Sequence, residues 1–209
     1  MVYYDYKCKG IIVGDTGVGK SSLVKRYVLN EYDNIHTLTI GVELEAFNTK
    51  IDNTHLKILL WDTAGQEKFD SITSIYYNKC CFSIISFDVT CNESFINAKF
   101  KWFNKIKKNT YKSSIKILVG MKSDMYNSRE VHINEALKFA DDNNIEYIEI
   151  SSKECNNTDK LFETISKKIK ELIDTSTGNE LKLLGIQPRN FYKAERDNDD
   201  YKRECCILS

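Results

Sequence analysis

A chain of 209 residues has the length of one domain with a tail, and it can bury a core without disulfide staples. Its formal net charge at pH 7 is zero, which disfavours a nucleic-acid-binding surface. Seven cysteines, an odd number, and a start without secretory features are typical of a reducing cytosol. The longest apolar runs fall short of the ~20 residues that cross a bilayer, so we expect any membrane attachment to be added to the chain.

Apolar runs of strand length alternate with longer amphipathic stretches along the chain. Strands are predicted, in order, at 8–13, 42–51, 56–62, 82–88, 115–120 and 147–150. Helices are predicted at 20–29, 69–78, 92–108, 134–142 and 157–172. This alternation favours an α/β fold, in which helices cover both faces of a six-stranded, mostly parallel sheet. The second and third strands read as a hairpin, which adds one antiparallel edge strand.

The composition changes after Asp174. A polar run from Thr175 to Asn179 follows the last predicted helix, and only one short apolar patch, Leu181 to Ile186, interrupts the polar sequence beyond it. We therefore assign residues 1–174 to one folded domain and residues 175–209 to a flexible tail.

The first predicted strand leads into a complete G-x-x-x-x-G-K-[ST] loop at residues 14–21, Gly-Asp-Thr-Gly-Val-Gly-Lys-Ser. Its three glycines let successive backbone N–H groups turn inward around a β-phosphate. Lys20 would reach the β and γ oxygens and Ser21 would ligate magnesium, at the positive end of the next helix. The loop predicts a bound nucleoside phosphate.

A second phosphate-side motif follows the third predicted strand, where Asp62 precedes Gly65 and Gln66. In a doubly wound sheet the ligand lies beyond the carboxyl ends of the strands, so Asp62 should face the magnesium held by Ser21. Gly65 can offer its backbone N–H to a γ-phosphate, and Gln66 is placed to orient an attacking water. We therefore predict Gln66 and Lys20 as the catalytic residues.

These motifs, with the segment Thr39 to Glu43, resemble the Ras superfamily of small GTPases over about residues 7–172. Within that superfamily, four segments resemble the Rab branch: 40–44, 68–73, 76–77 and 86–90. The resemblance implies the G domain of a P-loop NTPase, which binds GTP or GDP with Mg2+ and is a monomer.

The resemblance also implies roles for individual residues. Thr39 resembles the switch threonine that binds magnesium and the γ-phosphate, so Ser21, Thr39 and Asp62 are the implied metal ligands. The implied effector region is His36, Thr37, Leu38, Thr39, Ile40, Gly41, Val42, Glu43 and Leu44. The implied nucleotide-binding residues are Gly14, Asp15, Thr16, Gly17, Val18, Gly19, Lys20, Ser21, Ser22, Tyr32, Thr39, Asp62, Gly65, Met121, Lys122, Asp124, Ser151, Ser152 and Lys153.

The base-binding motif departs from the family pattern at one position. Where the family has Asn-Lys-x-Asp, this chain has Met121-Lys122-Ser123-Asp124. Asp124 can still accept the two donors on guanine N1 and N2, which adenine does not offer. Losing one buried hydrogen-bonding partner costs about 1 to 3 kcal/mol, so we expect faster release of nucleotide. The milder change, Ser151-Ser152-Lys153 for Ser-Ala-Lys, keeps the backbone N–H that approaches guanine O6 in the family.

The last four residues match the C-a-a-X lipidation motif, and the adjacent Cys205 and Cys206 also resemble the paired lipid acceptors of Rabs. Six basic residues balance six acidic residues between Asn179 and Ser209, so the tail holds no polybasic signal. One lipid chain alone gives marginal membrane binding, so stable anchoring should need lipid on both cysteines.

These features favour a Rab-like switch with slow GTP hydrolysis that regulates vesicle or membrane traffic. The resemblance implies an exchange factor, a GTPase-activating protein, a prenyl-carrier escort and effectors as partners. It also implies a place on the cytoplasmic face of membranes, with an escorted cytosolic pool. The alternative is a nucleotide-insensitive pseudo-GTPase that presents a Rab-like surface, which Met121 favours and the intact Lys20, Ser21 and Gln66 disfavour.

Overall fold

The computed structural model of the chain describes residues 3–33, 41–63 and 76–189. The elements in chain order are β1 (Tyr6–Val13), α1 (Lys20–Leu29), β2 (Val42–Ile51), β3 (Thr54–Thr63), β4 (Phe82–Asp88), α2 (Asn92–Asn97), a π-helical turn (Ala98–Trp102), α3 (Phe103–Asn109), β5 (Ile115–Met121), a 3-10 turn (Tyr126–Ser128), α4 (Ile133–Asp142), β6 (Glu146–Glu149), α5 (Thr158–Thr175), α6 (Gly178–Leu183) and β7 (Gln187–Pro188). Most of the predicted helix at 69–78 lies outside the described residues.

The sheet has the strand order β2-β3-β1-β4-β5-β6. Along this order the strands run parallel except for β2, which pairs antiparallel with β3 from Val42 opposite Thr63 to Ile51 opposite Thr54. The two-residue β7 is a seventh strand, which pairs antiparallel with β1 outside this order. This arrangement confirms the predicted α/β fold and its edge hairpin. Because the parallel strands share one direction, the ends of β1, β3, β4 and β5 meet at one edge of the sheet, which we call the carboxyl edge.

Two hydrophobic clusters cover the two faces of the sheet. On one face, Leu23 of α1 and Phe162 of α5 pack against the strands. On the other face, Phe95 of α2 and Trp102 pack against Phe87 of β4. Every residue of β4 is buried, and its apolar side chains serve both faces: Phe82 and Ile84 lie in the first cluster, Ile85 and Phe87 in the second.

The predicted helix at 92–108 is one helical stretch with an irregularity at its centre. The chain passes from α2 through the π-helical turn into α3, so the stretch runs from Asn92 to Asn109. A π turn holds more residues than an α turn and therefore rotates the residues that follow it relative to those before it. Trp102 ends this turn and is buried.

The chain returns to the sheet after α5, within residues that the sequence assigned to the tail. A capping box starts α6, in which Thr177 and Glu180 each accept a hydrogen bond from the backbone N–H of the other. Leu184 and Ile186 are buried in the core, and β7 then pairs antiparallel with the start of β1. Residues 178–189 are therefore folded, because their apolar patch completes the core. Residues 190–209 of the predicted tail lie outside the described residues.

Among the helices in the described ranges, none has both the length and the apolar character that a bilayer crossing requires.

Gly185 holds the returning segment, which we call the strap (residues 184–189), against the domain. Its φ is +72°, and an added Cβ would lie 2.0 Å from the carbonyl oxygen of Lys79. We expect Gly185→Ala to lower the free energy of unfolding by about 2 to 4 kcal/mol, because strain and overpacking act together. Urea denaturation measures the loss. Gly178→Ala is the matched control, since an added Cβ there meets no atom within 4 Å; equal stability of the two variants would contradict the account.

Candidate nucleotide-binding site

The phosphate loop leaves β1 at the carboxyl edge in close contact with β4. An added Cβ at Gly14 would lie 2.4 Å from the carbonyl oxygen of Ser86 and 2.5 Å from its hydroxyl oxygen. The Ser86 hydroxyl in turn donates a hydrogen bond to the Val13 carbonyl at 2.7 Å. Only glycine allows this approach, so the loop is packed on β4 at its first residue.

Lys20 is the first residue of α1, and its ammonium group lies inside the phosphate loop. The side chain is 5% exposed, and Nζ donates hydrogen bonds to the carbonyls of Gly14 at 3.0 Å and Asp15 at 2.8 Å. Burial lowers the pKa of Lys20 to about 8, and the nearby carboxylates of Asp62 and Asp15 oppose that shift. Lys20 therefore stays protonated at pH 7, and an anion in the loop would neutralise its charge.

Ser21 and Asp62 meet beside this lysine, as the sequence predicted. The Ser21 hydroxyl donates a hydrogen bond to Oδ2 of Asp62. Asp62 is 2% exposed, and burial raises its pKa to about 6 against the opposing effects of Ser21 and Lys20. Its other oxygen, Oδ1, is buried and accepts no hydrogen bond from any residue that the structure describes.

This pair of residues fits a magnesium ion. A hydroxyl and a carboxylate are the hard oxygen ligands that Mg2+ prefers. The buried Oδ1 of Asp62, which accepts no hydrogen bond from the described residues, is available to bind the ion or one of its waters. The third predicted ligand, Thr39, lies outside the described residues.

Asp15 ties the phosphate loop to the helical stretch on the neighbouring face. Its carboxylate accepts hydrogen bonds from Nε1 of Trp102 at 2.7 Å and from Nδ2 of Asn97 at 2.8 Å. Through its own carbonyl, the same residue also holds Lys20. Sequence reasoning missed this role of Trp102. The available signal was that a buried indole N–H needs an acceptor.

A cavity of about 360 Å3 opens beside the phosphate loop. Nine of its lining residues were predicted to bind nucleotide, and Met125 was not. The ten lining residues are Val18, Gly19, Ser22, Tyr32, Met121, Lys122, Asp124, Met125, Ser152 and Lys153. The structure thus brings the predicted base-binding residues together around one space.

Polar contacts fix the two loops that form this cavity. Ser151 donates its hydroxyl hydrogen to Oδ1 of Asp124 at 2.6 Å, and the Lys122 ammonium pairs with the Asp88 carboxylate at 2.6 Å. Farther from the cavity, the Arg129 guanidinium makes two hydrogen bonds to the Glu149 carboxylate, at 2.8 and 2.7 Å. Arg129 follows the loop at 121–125 and Glu149 precedes the loop at 151–153, so this ion pair fixes the position of one loop relative to the other.

Arg26 adds a third tie to the base loops, from α1. Its Nε donates a hydrogen bond to the Ser152 carbonyl at 2.7 Å, and its guanidinium lies over the Tyr32 ring. The orientation of the Ser152 peptide is therefore set by α1 as well as by its own loop.

Met121 makes apolar contact where the family pattern has an amide. The side chain is 1% exposed and packs in the same cluster as Leu23 and Ile150. A Cβ built on Gly19 would lie 3.8 Å from the Met121 Cβ, so the residue stands next to the phosphate loop. A thioether is at most a weak acceptor, so Met121 gives this loop no donor.

Several predicted residues lie outside the described ranges. They are His36, Thr37, Leu38, Thr39, Ile40, Gly65, Gln66, Cys205 and Cys206. Of the implied effector region, Gly41 to Leu44 is described, and Leu44 is 46% exposed. Leu44 pairs across the hairpin with Trp61, whose ring lies 4.8 Å from the Tyr76 ring. The described end of this region therefore presents an apolar side chain next to an aromatic pair.

The fold and this edge are those of an α/β G domain, and comparisons with known proteins agree. The family model described as the Ras family matches residues 9–171. Ras-related protein Rab-1 of Theileria annulata is 42% identical over 179 residues, which cover 86% of this chain and 81% of that protein. Ras-related protein Rab-11B of Dictyostelium discoideum is 41% identical, over 78% of this chain and 74% of its own length. GTP-binding protein ypt1 of Schizosaccharomyces pombe is 39% identical, with 83% and 85% covered.

The family match covers most of the chain, and the similar proteins are Rab and Ypt proteins. The chain therefore belongs to the Ras family and, within it, to the Rab branch of small GTPases, which are GTP hydrolases.

The Trp102 hydrogen bond gives a test of how the phosphate loop is held. We expect Trp102→Phe to speed GDP dissociation about fivefold, because losing a hydrogen bond worth about 1 kcal/mol loosens Asp15. Stopped-flow release of a fluorescent GDP measures the rate. The control is the same substitution in an Asp15→Ala background, where it should add nothing. An equal acceleration in both backgrounds would show that Trp102 acts by general packing.

Proposed function

We propose that this GTPase is a magnesium-dependent switch with slow intrinsic turnover that regulates vesicle traffic. The observation that carries the proposal is the pair of buried, opposite charges at the phosphate loop, Lys20 and Asp62, beside a cavity lined by Asp124. A scaffold protein has no need of two buried ionisable groups, which cost free energy unless a ligand completes them. The names of the similar proteins, Rab-1 and GTP-binding protein ypt1, support the same direction.

In the proposed mechanism the backbone N–H groups of the phosphate loop and Lys20 bind the β-phosphate and γ-phosphate. Ser21, Asp62 and Thr39 would hold Mg2+, which neutralises phosphate charge when bound. Gln66 would orient the attacking water. The proposed mechanism needs no strong general base from the chain. We expect intrinsic hydrolysis at about 10⁻⁴ to 10⁻³ per second, and an activating protein that supplies an arginine can add about 10⁵-fold.

The conformational output of the proposed switch lies in the loops that contain Thr39 and Gln66. Contacts with the γ-phosphate and magnesium would order these loops, and hydrolysis would release them. Effectors would read His36 to Leu44, where Leu44 adds exposed apolar surface next to Trp61. An exchange factor, an activating protein and a prenyl-carrier escort complete the expected set of partners.

Membrane attachment in this proposal depends on lipid at Cys205 and Cys206. Two chains are needed for stable anchoring, since one chain binds reversibly and weakly. The protein would then sit on the cytoplasmic face of membranes, and the escort would carry a cytosolic pool.

Single-turnover hydrolysis of GTP tests the switch. We expect the wild-type protein to release phosphate slowly, in the range given above, and Gln66→Leu to be at least tenfold slower because it cannot orient water. Bound GTP and free phosphate are followed in the same samples. Binding without any hydrolysis would contradict the switch, and absence of binding would favour the pseudo-GTPase alternative.

Met121 sets the expected lifetime of the bound nucleotide. The polar ties at Asp124 and Ser151 preserve guanine recognition, whereas the thioether adds no hydrogen bond to the base or the phosphate loop. One missing buried hydrogen bond corresponds to about 1 to 3 kcal/mol, or roughly fivefold to a hundredfold in affinity. We therefore propose that the protein exchanges nucleotide quickly and depends less on an exchange factor.

Replacing Met121 tests this proposal. We expect Met121→Asn to slow GDP dissociation roughly fivefold to a hundredfold, since the amide restores the polar contact. Met121→Leu, which conserves volume and remains apolar, should release GDP at the wild-type rate. Rates are measured on the magnesium complex by displacement of fluorescent GDP. A GDP off-rate that Met121→Asn leaves unchanged would refute the proposal.

A further inference from the structure

The longest run of one charge sign in the described chain lies on the helical stretch and the loop that follows it. Residues 98–116 contain seven lysines and no acidic residue, in a chain whose formal net charge is zero. Four of these lysines lie from the last turn of α3 to the start of β5: Lys107, Lys108, Lys112 and Lys116. We call these four residues the basal lysine cluster.

The cluster lies at the edge of the sheet opposite the nucleotide. β1 and β5 are each parallel to β4, so the start of β5 lies at the same edge as the start of β1. Only β4 stands between them, and its register sets Ile115 of β5 level with Gly10 of β1, about 10 Å away across the sheet. Tyr6, the start of β1, lies four residues, or about 13 Å, farther along that strand toward the same edge. The cluster therefore faces away from Lys20 and the base cavity.

The strap ends at this same edge. The backbone N–H of Arg189 donates a hydrogen bond to the Asp5 carbonyl at 2.8 Å, and its guanidinium lies over the Tyr3 ring at 4.7 Å. The last residue of the described chain is thus fixed beside the start of β1. Fifteen residues of sequence lie between it and Cys205, a span of at most about 55 Å when extended.

The positive charges of the cluster are close together. Lys107, Lys108 and Lys112 are exposed, whereas Lys116 is half-buried and donates hydrogen bonds to the carbonyl and hydroxyl of Ser114 at 2.9 and 3.0 Å. Burial lowers the pKa of Lys116, and the charge of Lys107 lowers it further. The positive charges of Lys107 and Lys116 are thus close enough to form one field, which an anionic partner would relieve.

The groove next to the cluster holds fewer acidic side chains than the cluster has lysines. The groove beside Lys112 and Lys116 also contains Glu146 and Glu171. Glu146 is already paired, at 2.9 Å, with Lys168 on α5. The dipole of α3 explains a preference for lysine in its last turn, at Lys107 and Lys108, but it does not reach Lys112 in the loop beyond.

We propose that the basal lysine cluster is a docking surface for an anionic membrane. The proposal rests on the lipid anchor of the proposed function, because the tail that carries the cysteines leaves the domain at the same edge. It adds to the two lipid chains an electrostatic attraction that the charge-balanced tail lacks. A lipid-tethered domain seated on this edge holds the carboxyl edge and Leu44 toward the cytosol.

Vesicle binding tests the docking surface. The full-length chain, with lipid on Cys205 and Cys206, is sedimented with vesicles of phosphatidylcholine, alone or with roughly a third phosphatidylserine. We expect phosphatidylserine to raise the partition coefficient. On these vesicles the Lys108→Gln/Lys112→Gln variant should have a partition coefficient about 25-fold below that of the wild type, at about fivefold per lysine. Binding to phosphatidylcholine alone should not change.

Two matched variants accompany this comparison. Lys108→Arg/Lys112→Arg keeps the charge and should keep the phosphatidylserine gain. Lys138→Gln/Lys160→Gln removes two exposed lysines from α4 and α5, outside the cluster, and should also keep it.

The proposal would be overturned if phosphatidylserine did not raise the partition coefficient of the wild-type chain. It would also be overturned if the Lys108→Gln/Lys112→Gln variant kept the whole increase. Either result would leave an acidic protein as the partner. Failure to bind phosphatidylcholine would count against the lipid anchor instead. In that case the cluster is tested with the unlipidated full-length chain at low salt. Its binding to phosphatidylserine vesicles must be weaker in the Lys108→Gln/Lys112→Gln variant than in the wild type.

Discussion

The buried ammonium group of Lys20 is the point on which the rest of this structure depends. It lies at the carboxyl edge of the sheet, held by two backbone carbonyls and faced by the buried carboxylate of Asp62. Burial of such charges is unfavourable without partners, and the surrounding contacts fix these groups in place before a ligand arrives. Gly14 packs on β4 and Asp15 is anchored by Trp102, so a central strand and the helical stretch on one face of the sheet both support the loop. A phosphate anion and a divalent cation, as the proposed function requires, would therefore complete these buried charges.

On the base side of the site, the residues proposed to select guanine differ from the residue proposed to set the rate of nucleotide release. Asp124 is oriented by Ser151, and the Arg129–Glu149 pair holds the two base loops in register, so the groups that would select guanine are rigid. Met121 lies next to the phosphate loop, and its buried side chain packs in the apolar cluster. In the proposed function, selectivity for guanine would come from hydrogen bonds that this chain retains, and the residence time of the nucleotide would depend on the one that it lacks.

The sequence was sufficient for the parts of the fold whose signals are local. Short continuous stretches of sequence predict the phosphate loop, the hairpin and the alternation of strands and helices. Within the described residues, the structure has these elements at nearly the expected bounds. The strap was not predictable in this way, since its partner edge on β1 lies about 180 residues away in sequence. Its apolar patch is also too short to indicate burial by itself. The contact between Trp102 and Asp15 spans 87 residues and depends on side-chain geometry at a π turn, which apolar periodicity does not encode.

The central claim is that these buried groups form a guanine nucleotide site. The most direct measurement is a titration of the full-length, nucleotide-free protein with labelled GDP in magnesium, followed by competition with unlabelled GTP and ATP. The account predicts saturable, magnesium-dependent binding that GTP displaces and ATP does not, because adenine offers Asp124 no matching pair of donors. The account would be contradicted if no binding were detected up to roughly millimolar GDP. Such a result would mean a binding free energy no more favourable than about −4 kcal/mol.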